Sequence, residues 1–410
     1  MRRLAALVLL ASLTAPAPGL ARDDPYAGIR DLLARRAEAV RAGDEAAFMA
    51  TVAGIDPRFV ERQRRLIRGF RALRVSEYRL EIGERFWPEL TTSREVARYG
   101  RGADPRVLHV EERYRIEGYD PQLALEDLYL TFVRTDGGWK VASDDDLEPV
   151  GLWSGRKLWE YGPVITRSSD HFRYVSHPEQ AGAAEEILDA AERALGAVES
   201  RWPLPWRKRA LILAPTSSEE LQRVIQATFD VENFVAFAYS SVERRLDFDL
   251  VGHRVILNWP VFSRYDLDVQ ERILAHELLH FATREVTGPM VPAFVDEGLA
   301  EWVAGDTDTS EVARRLAAGT WDRRLPRDYE FITGDGSEIT LQYQESYTSA
   351  AYAVERFGIR DVAEFYEILG ETRLAPGTPR YHVDQAMRAA FGLSLAEFER
   401  RWADHVEATL

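Results

Sequence analysis

His276 and His280 stand four residues apart, with Glu277 directly after the first, in the stretch RILAHELLHFATREV. On a helix, residues one turn apart share a face, so two neutral imidazoles at this spacing can reach the same ion. Glu277 is turned by about 100° from His276, at the border of that face. A carboxylate there can take a proton from ion-activated water without ligating the ion, the division of labour expected of H-E-x-x-H. The chain contains no cysteine, so any metal site must be built from His, Asp and Glu. An amphipathic helix carrying two packed histidines is the competing reading of the motif by itself.

A catalytic zinc needs a third protein ligand and one open position. Downstream, GPMVPAFVDEGLAEWVAGD offers Glu297 on a second, short helix, with Pro292 suited to its first turn. Returning beside the first helix, this element can present Glu297 to the same ion. Glu301 falls on the same face and can accept a hydrogen bond from the second ring nitrogen of His276; a solvated surface glutamate is the alternative. Asp296 adjoins Glu297, but consecutive helical residues point apart, so Asp296 is left out of the site. The first helix carries its own boundaries, with Asp268 as N-cap, Glu271 three residues later, and Gly288–Pro289 as the stop.

H-E-L-L-H followed by P-x-F-x-x-E-G-x-A-E resembles the gluzincin metallopeptidases, which include the aminopeptidase N and thermolysin families and the shorter peptidase-MA-like domains. The resemblance spans roughly residues 170 to 410. It implies a zincin-like domain with a mixed sheet, an active-site helix and a mainly helical C-terminal part, holding one catalytic Zn2+. It also implies Glu297 as the third ligand. The interval from His280 to Glu297 is a little shorter than in aminopeptidase N, which demands a tighter turn. In LQYQESYTSAAYAVERFG, Tyr343 matches the family tyrosine that donates to the oxyanion of the transition state, with Ser346 where the family has a small residue. Tyr347 is the next candidate, and a core tyrosine is the alternative. The Gly-x-Met-x-Asn strand of aminopeptidase N has no counterpart. FVAFAYSS takes the place of a cleft-lining edge strand but lacks an acid to anchor a free α-amine, so the resemblance implies no exopeptidase specificity. The closing AMRAAFGLSLAEFERRWADHV is similar to the last helices of the peptidase-MA-like group.

The rest of the chain must position these groups. Its 410 residues are 46% hydrophobic and 29% charged, with a formal charge of -15. That balance argues against nucleic-acid binding and against anionic lipid surfaces. Residues 1–21 read as a signal peptide: Arg2 and Arg3 precede a short apolar run, and Gly19 and Ala21 suit cleavage after Ala21. An uncleaved anchor is the alternative; no later stretch is apolar enough to span a membrane. From 24 to 147, helical periodicity gives way to alternating segments and a TDGGWK hairpin. This order resembles the cone-shaped domain of the ketosteroid-isomerase and nuclear-transport-factor superfamily. His109 is expected in its packing, and no catalysis is assigned to it. Residues 148–164 read as a linker or docking segment, and 165–410 as the metallopeptidase domain. His171, His177, His253, His382 and His405 are expected as surface or packed residues.

The expected class is therefore α+β, a helix-plus-curved-sheet unit followed by the zincin-like domain. The expected function is a secreted zinc metallopeptidase acting on a peptide or protein substrate. A metal-loaded scaffold with vestigial turnover, recognising a partner through its N-terminal unit, is the alternative. A zinc hydrolase for another substrate class is the third.

Overall fold

The computed structural model describes residues 24–83, 89–227, 229–232, 234–243, 249–287, 291–371 and 376–410. The expected signal peptide and the Gly288–Pro289 helix stop lie outside the described residues. The protein is α+β, with one antiparallel and one mixed sheet.

Three helices come first, α1 (Ala27–Ala42), α2 (Glu45–Met49) and α3 (Pro57–Leu73), each set by local chemistry. Gly43 ends α1 in the left-handed region at φ 64°, and the Asp44 carboxylate caps α2 by accepting from the Ala47 N–H. Asp56 caps α3, with Pro57 at its first position. Then follow β1 (Val75–Ile82), α4 (Ser93–Tyr99), β2 (Arg106–Ile116), β3 (Ala124–Thr135) and β4 (Gly138–Ser143). The four strands pair in chain order, all antiparallel, and the TDGGWK turn joins β3 to β4 as expected. Helices α1 and α3 lay Ile29, Leu32, Phe59, Ile67 and Phe70 into a core with Tyr78, Val110 and Phe132 of the sheet.

Within residues 148–164, Leu158 and Trp159 enter this same core, where Trp159 meets Phe70 edge to face at 5.7 Å. Of the two expectations for this segment, the docked arrangement is the one seen. Its charges are buried and paired: Lys157 with Glu112 of β2, and Arg156 with Asp144. Buried charges are tolerated only when paired in this way.

The remaining strands are β5 (Ile165–Ser168), β6 (Phe172–Ser176), β7 (Ala210–Ala214), β8 (Ala236–Glu243) and β9 (Asp249–Leu257). They form a sheet of order β5-β6-β7-β9-β8, with parallel pairing at β6–β7 and β7–β9 and antiparallel pairing at both ends. Strand alternation divides its side chains between two cores. Val175, Leu211, Leu213 and Ile256 pack with the N-terminal unit. Tyr174, Ile212, Ala214, Val255 and Leu257 pack with the helices. The mixed sheet is thus a middle layer.

Those helices are α5 (Ala184–Arg201), α6 (Ser218–Val224), α7 (Trp259–Phe262), α8 (Leu267–Thr287), α9 (Ala293–Ala304), α10 (Ser310–Ala317), α11 (Glu330–Thr333), α12 (Gly336–Phe357), α13 (Ile359–Glu371), α14 (Pro379–Phe391) and α15 (Leu395–Thr409). Ser217 caps α6 by accepting from the Glu220 N–H. The apolar side of α8, Leu274, Leu278, Leu279 and Phe281, is buried with Phe294 and Leu299 of α9 and Trp402 of α15.

Lys157 and Glu112 are 4% and 1% exposed, so removing one partner strands the other in the core. Lys157→Met is expected to lower the unfolding free energy by ~3–5 kcal/mol. The double replacement Lys157→Met/Glu112→Gln should recover much of it, because no unpaired charge is left. Urea unfolding of the two variants measures this, and equal midpoints would contradict it.

Candidate metal centre

Helix α8 starts at Leu267, and the side chain outside its first turn is Asp266, whose carboxylate accepts from the Val269 N–H at 3.0 Å. The cap is therefore Asp266, not the expected Asp268. Asp268 sits inside the first turn, where its charge favours the positive helix end but cannot close the capping bond. From this start α8 carries His276, Glu277 and His280 along the side that faces α9. The two imidazole rings lie 4.8 Å apart, inclined at 79°.

Helix α9 supplies the third group. Glu297 Oε2 is 3.0 Å from His276 Nε2 and 3.5 Å from His280 Nε2. One ligand atom from each of His276, His280 and Glu297 lies within 4.8 Å of the other two. Ligands of a tetrahedral zinc at ~2.0–2.1 Å stand roughly 3.4 Å from one another, so the separations are of the right size. The outer ring nitrogens agree with this: His276 Nδ1 is 3.3 Å from Glu301 Oε1, and His280 Nδ1 is 3.1 Å from Asp296 Oδ1. With each Nδ1 facing a carboxylate, both Nε2 atoms are turned to a common point, the tautomer a ligating histidine needs. Two imidazoles and a carboxylate are also a donor set suited to zinc. The residues fit the ion.

Glu301 lies beside the outer nitrogen of His276, and Asp296, beside that of His280, corrects the expectation that left it out. Residues one apart on a helix diverge by about 100°. An imidazole, however, presents its two nitrogens on different sides, so neighbouring acids can each meet one. Sequence reasoning also missed Arg284, whose guanidinium donates to Asp296 Oδ2 at 2.9 Å and to the backbone carbonyl of Ala238 at 2.6 Å. The available signal was its place four residues after His280, on the same helical face.

The electrostatics follow from burial among acids. Desolvation alone would lower both imidazoles, but Glu301 and Glu297 hold His276 well above its usual range, and Asp296 and Glu297 hold His280 up. Burial would raise the Glu297 and Asp296 carboxyls, yet the facing imidazoles, with Arg284 for Asp296, keep both below the usual range. Glu277 is raised by burial, with the imidazoles opposing. It is 7% exposed and lines a cleft of about 330 Å³ together with His276, Glu301, Tyr343 and Tyr347.

Tyr343 comes from α12, which the capping box of Asp335 and Glu338 starts. Its ring centre is 6.4 Å from that of His276, and Phe331 holds it edge to face at 5.3 Å. Burial and then Glu297, Glu277 and Glu301 hold its hydroxyl well above the usual range, so it remains a protonated donor. Tyr347 is raised only by burial and Asp306, so of the two tyrosines Tyr343 sits among the acids of the centre. Gly298 lets α12 come this close to α9.

Elsewhere, His109 is buried with its Nε2 at 2.8 Å from Asp127. His253 lies against Phe281 at 4.9 Å, away from the three ligands. The chain matches no protein-family model, and no significantly similar curated protein was found.

A methyl at position 298 would fall 2.4 Å from the backbone oxygen of Ser346. Gly298→Ala is therefore expected to push α12 off α9 at ~1–3 kcal/mol and to weaken zinc binding. Thermal unfolding and zinc titration of the variant test this; an unchanged melting temperature would contradict the close approach.

Proposed function

We propose that this chain is a zinc-dependent metallohydrolase of the gluzincin type that cleaves peptide bonds. The observation that carries the reading is the convergence of His276, His280 and Glu297 on one point, beside a cleft that Glu277 and Tyr343 also line. The two outer acids strengthen it, since a carboxylate behind each histidine is what a ligating imidazole needs. The N-terminal sequence reads as an export signal, which supports an extracytoplasmic activity. The N-terminal helices and antiparallel sheet are read as the cone-shaped accessory unit. Its apolar core is shared with Trp159 and with Val175, Leu211 and Ile256 of the mixed sheet.

Once bound by His276, His280 and Glu297, the ion supplies Lewis-acid activation of water near neutral pH and of the scissile carbonyl. Glu301 and Asp296 fix the two ring orientations and keep the Nε2 lone pairs directed at the site. Glu277, raised by burial toward the working pH, accepts a proton from the attacking water and returns it to the leaving amine. Tyr343 keeps its proton and donates a hydrogen bond to the oxygen on which negative charge develops.

Glu277→Gln is expected to keep its zinc and lose hydrolysis by ~10²–10⁴-fold, measured by metal analysis and peptide cleavage on the same sample. If the wild-type chain takes up no zinc from a slight excess, the proposal is wrong. Tyr343→Phe should lower kcat by ~10²–10³-fold with little change in KM; an unchanged kcat would remove Tyr343 from the reaction. Because His276 and His280 hold protons above their usual range, protons compete with the ion for the same nitrogens. Zinc affinity should therefore rise steadily from pH ~6 to ~8.5, and titrations across that range read it directly.

A further inference from the structure

The edge strand β8 shows how far a peptide can be held beside the metal centre. Ala236 faces Leu257 and Ala238 faces Val255 across the β8–β9 pair. The Asn258 N–H donates to the Val235 carbonyl at 2.8 Å, so Val235 and Phe237 turn their backbone groups toward β9. By the alternation of an antiparallel ladder, Ala236 and Ala238 turn theirs outward, to the free edge. Ala236 lines the cleft, and a bound chain can pair with it there. Ala238 is closed: its carbonyl accepts from Arg284 Nη1 at 2.6 Å.

Two further observations place a stop at this point. The register of β8 slips between Tyr239 and Ser241, and such a bulge bends the strand and ends regular pairing. On α8, the described residues that line the cleft are Val269, Arg272, Ile273, His276 and Glu277, all on the N-terminal side of His280. The cleft thus opens away from Arg284. The same guanidinium grips Asp296 through Nε and Nη2, at 3.3 and 2.9 Å, and Asp296 faces His280.

We propose that Arg284 is a positioning and specificity-determining residue that ends the substrate-binding edge of β8 at Ala238 and ties this stop to His280 through Asp296. The proposal rests on the peptide-hydrolase reading of the site. A substrate strand pairing antiparallel to β8, the more stable ladder, runs from the Arg284 side toward Arg272. Residues N-terminal to the scissile bond therefore meet the stop, while those after it follow the open cleft. The free edge from Ala236 to Ala238 measures about 7 Å, two residues of strand. The site accordingly cuts bonds close to the amino end of a peptide and passes over internal ones. Arg284 touches no reacting atom; it acts through Ala238 and Asp296.

The test maps cleavage positions by mass spectrometry in peptides of graded length, using the zinc-loaded full chain, its Arg284→Gln variant and its Arg284→Lys variant. The wild type is expected to cut within the first few residues. Arg284→Gln should raise internal relative to terminal cleavage at least ~10-fold and weaken zinc binding ~10-fold or more. Arg284→Lys keeps a cation beside Asp296, and so most of the zinc affinity, while freeing Ala238 and relaxing the cleavage pattern. A wild type that cuts internal and terminal bonds alike overturns the inference, as do folded variants that leave the pattern unchanged. If the zinc-loaded wild type cuts no peptide, the peptidase reading has failed, and Arg284 is judged on zinc affinity and on hydrogen exchange of the β8 amides. Faster exchange and weaker binding in Arg284→Gln then support the tie, and no change in either overturns it.

Discussion

Two imidazoles on α8 and three carboxylates on α9 are held together in a partly buried cluster, and their mutual neutralisation governs the architecture around them. Left apart, each acid would face the desolvation of a buried charge. Set opposite His276 and His280, Asp296, Glu297 and Glu301 are each in contact with a ring nitrogen. The arrangement requires α8 and α9 to lie in a fixed register, since a slide of one turn would leave one of the two imidazoles without its acids. Leu278, Leu279, Phe294 and Leu299 supply that register through the core they share. Gly298, on α9 directly after Glu297, then lets α12 settle against the same pair of helices. Packing and charge pairing thus specify the same geometry from two sides.

The mixed sheet relates this centre to the rest of the chain. One of its faces packs on the helices that bear His276, His280 and Glu297, and the other on the N-terminal unit. The connecting segment does more than join them, because Leu158 and Trp159 complete the N-terminal core while Lys157 neutralises Glu112 of β2 and Arg156 neutralises Asp144, directly after β4. A buried pair between Arg254 of β9 and Asp120, at 2.6 Å, adds a charged contact across the same boundary. The two units therefore share a surface that is apolar in its bulk and paired at its charges.

Much of the centre was legible in the sequence because its chemistry is local. Four-residue spacing on a helix fixes a common face, and the E-G-x-A-E run repeats that spacing on a second helix. His276, Glu277, Glu301 and Tyr343 accordingly line one cleft, and His280 and Glu297 cluster with His276. What escaped was set by tertiary approach. Asp296 was excluded by a rule about neighbouring helical residues, yet the second nitrogen of His280 comes within its reach. Arg284 gave a signal of spacing but none of partner, since Ala238 lies 46 positions away in the chain. Asp268 was read as the cap, but the helix starts at Leu267 and leaves Asp266 as the carboxylate outside its first turn. In the fold, strand alternation showed the sheets, but it could not reveal that both faces of the mixed sheet are covered, because such strands read as continuous apolar runs.

The doubly covered sheet has a consequence for any shortened form of the chain. Val175, Leu211, Leu213 and Ile256 are buried in a core that they share with residues preceding Ile165. A fragment beginning at β5 would keep His276, His280 and Glu297 and still expose part of these apolar side chains. Surfaces of that kind associate with one another or with chaperones rather than remain dispersed. The N-terminal unit is in this sense an intramolecular solubility partner for the half that carries the candidate centre.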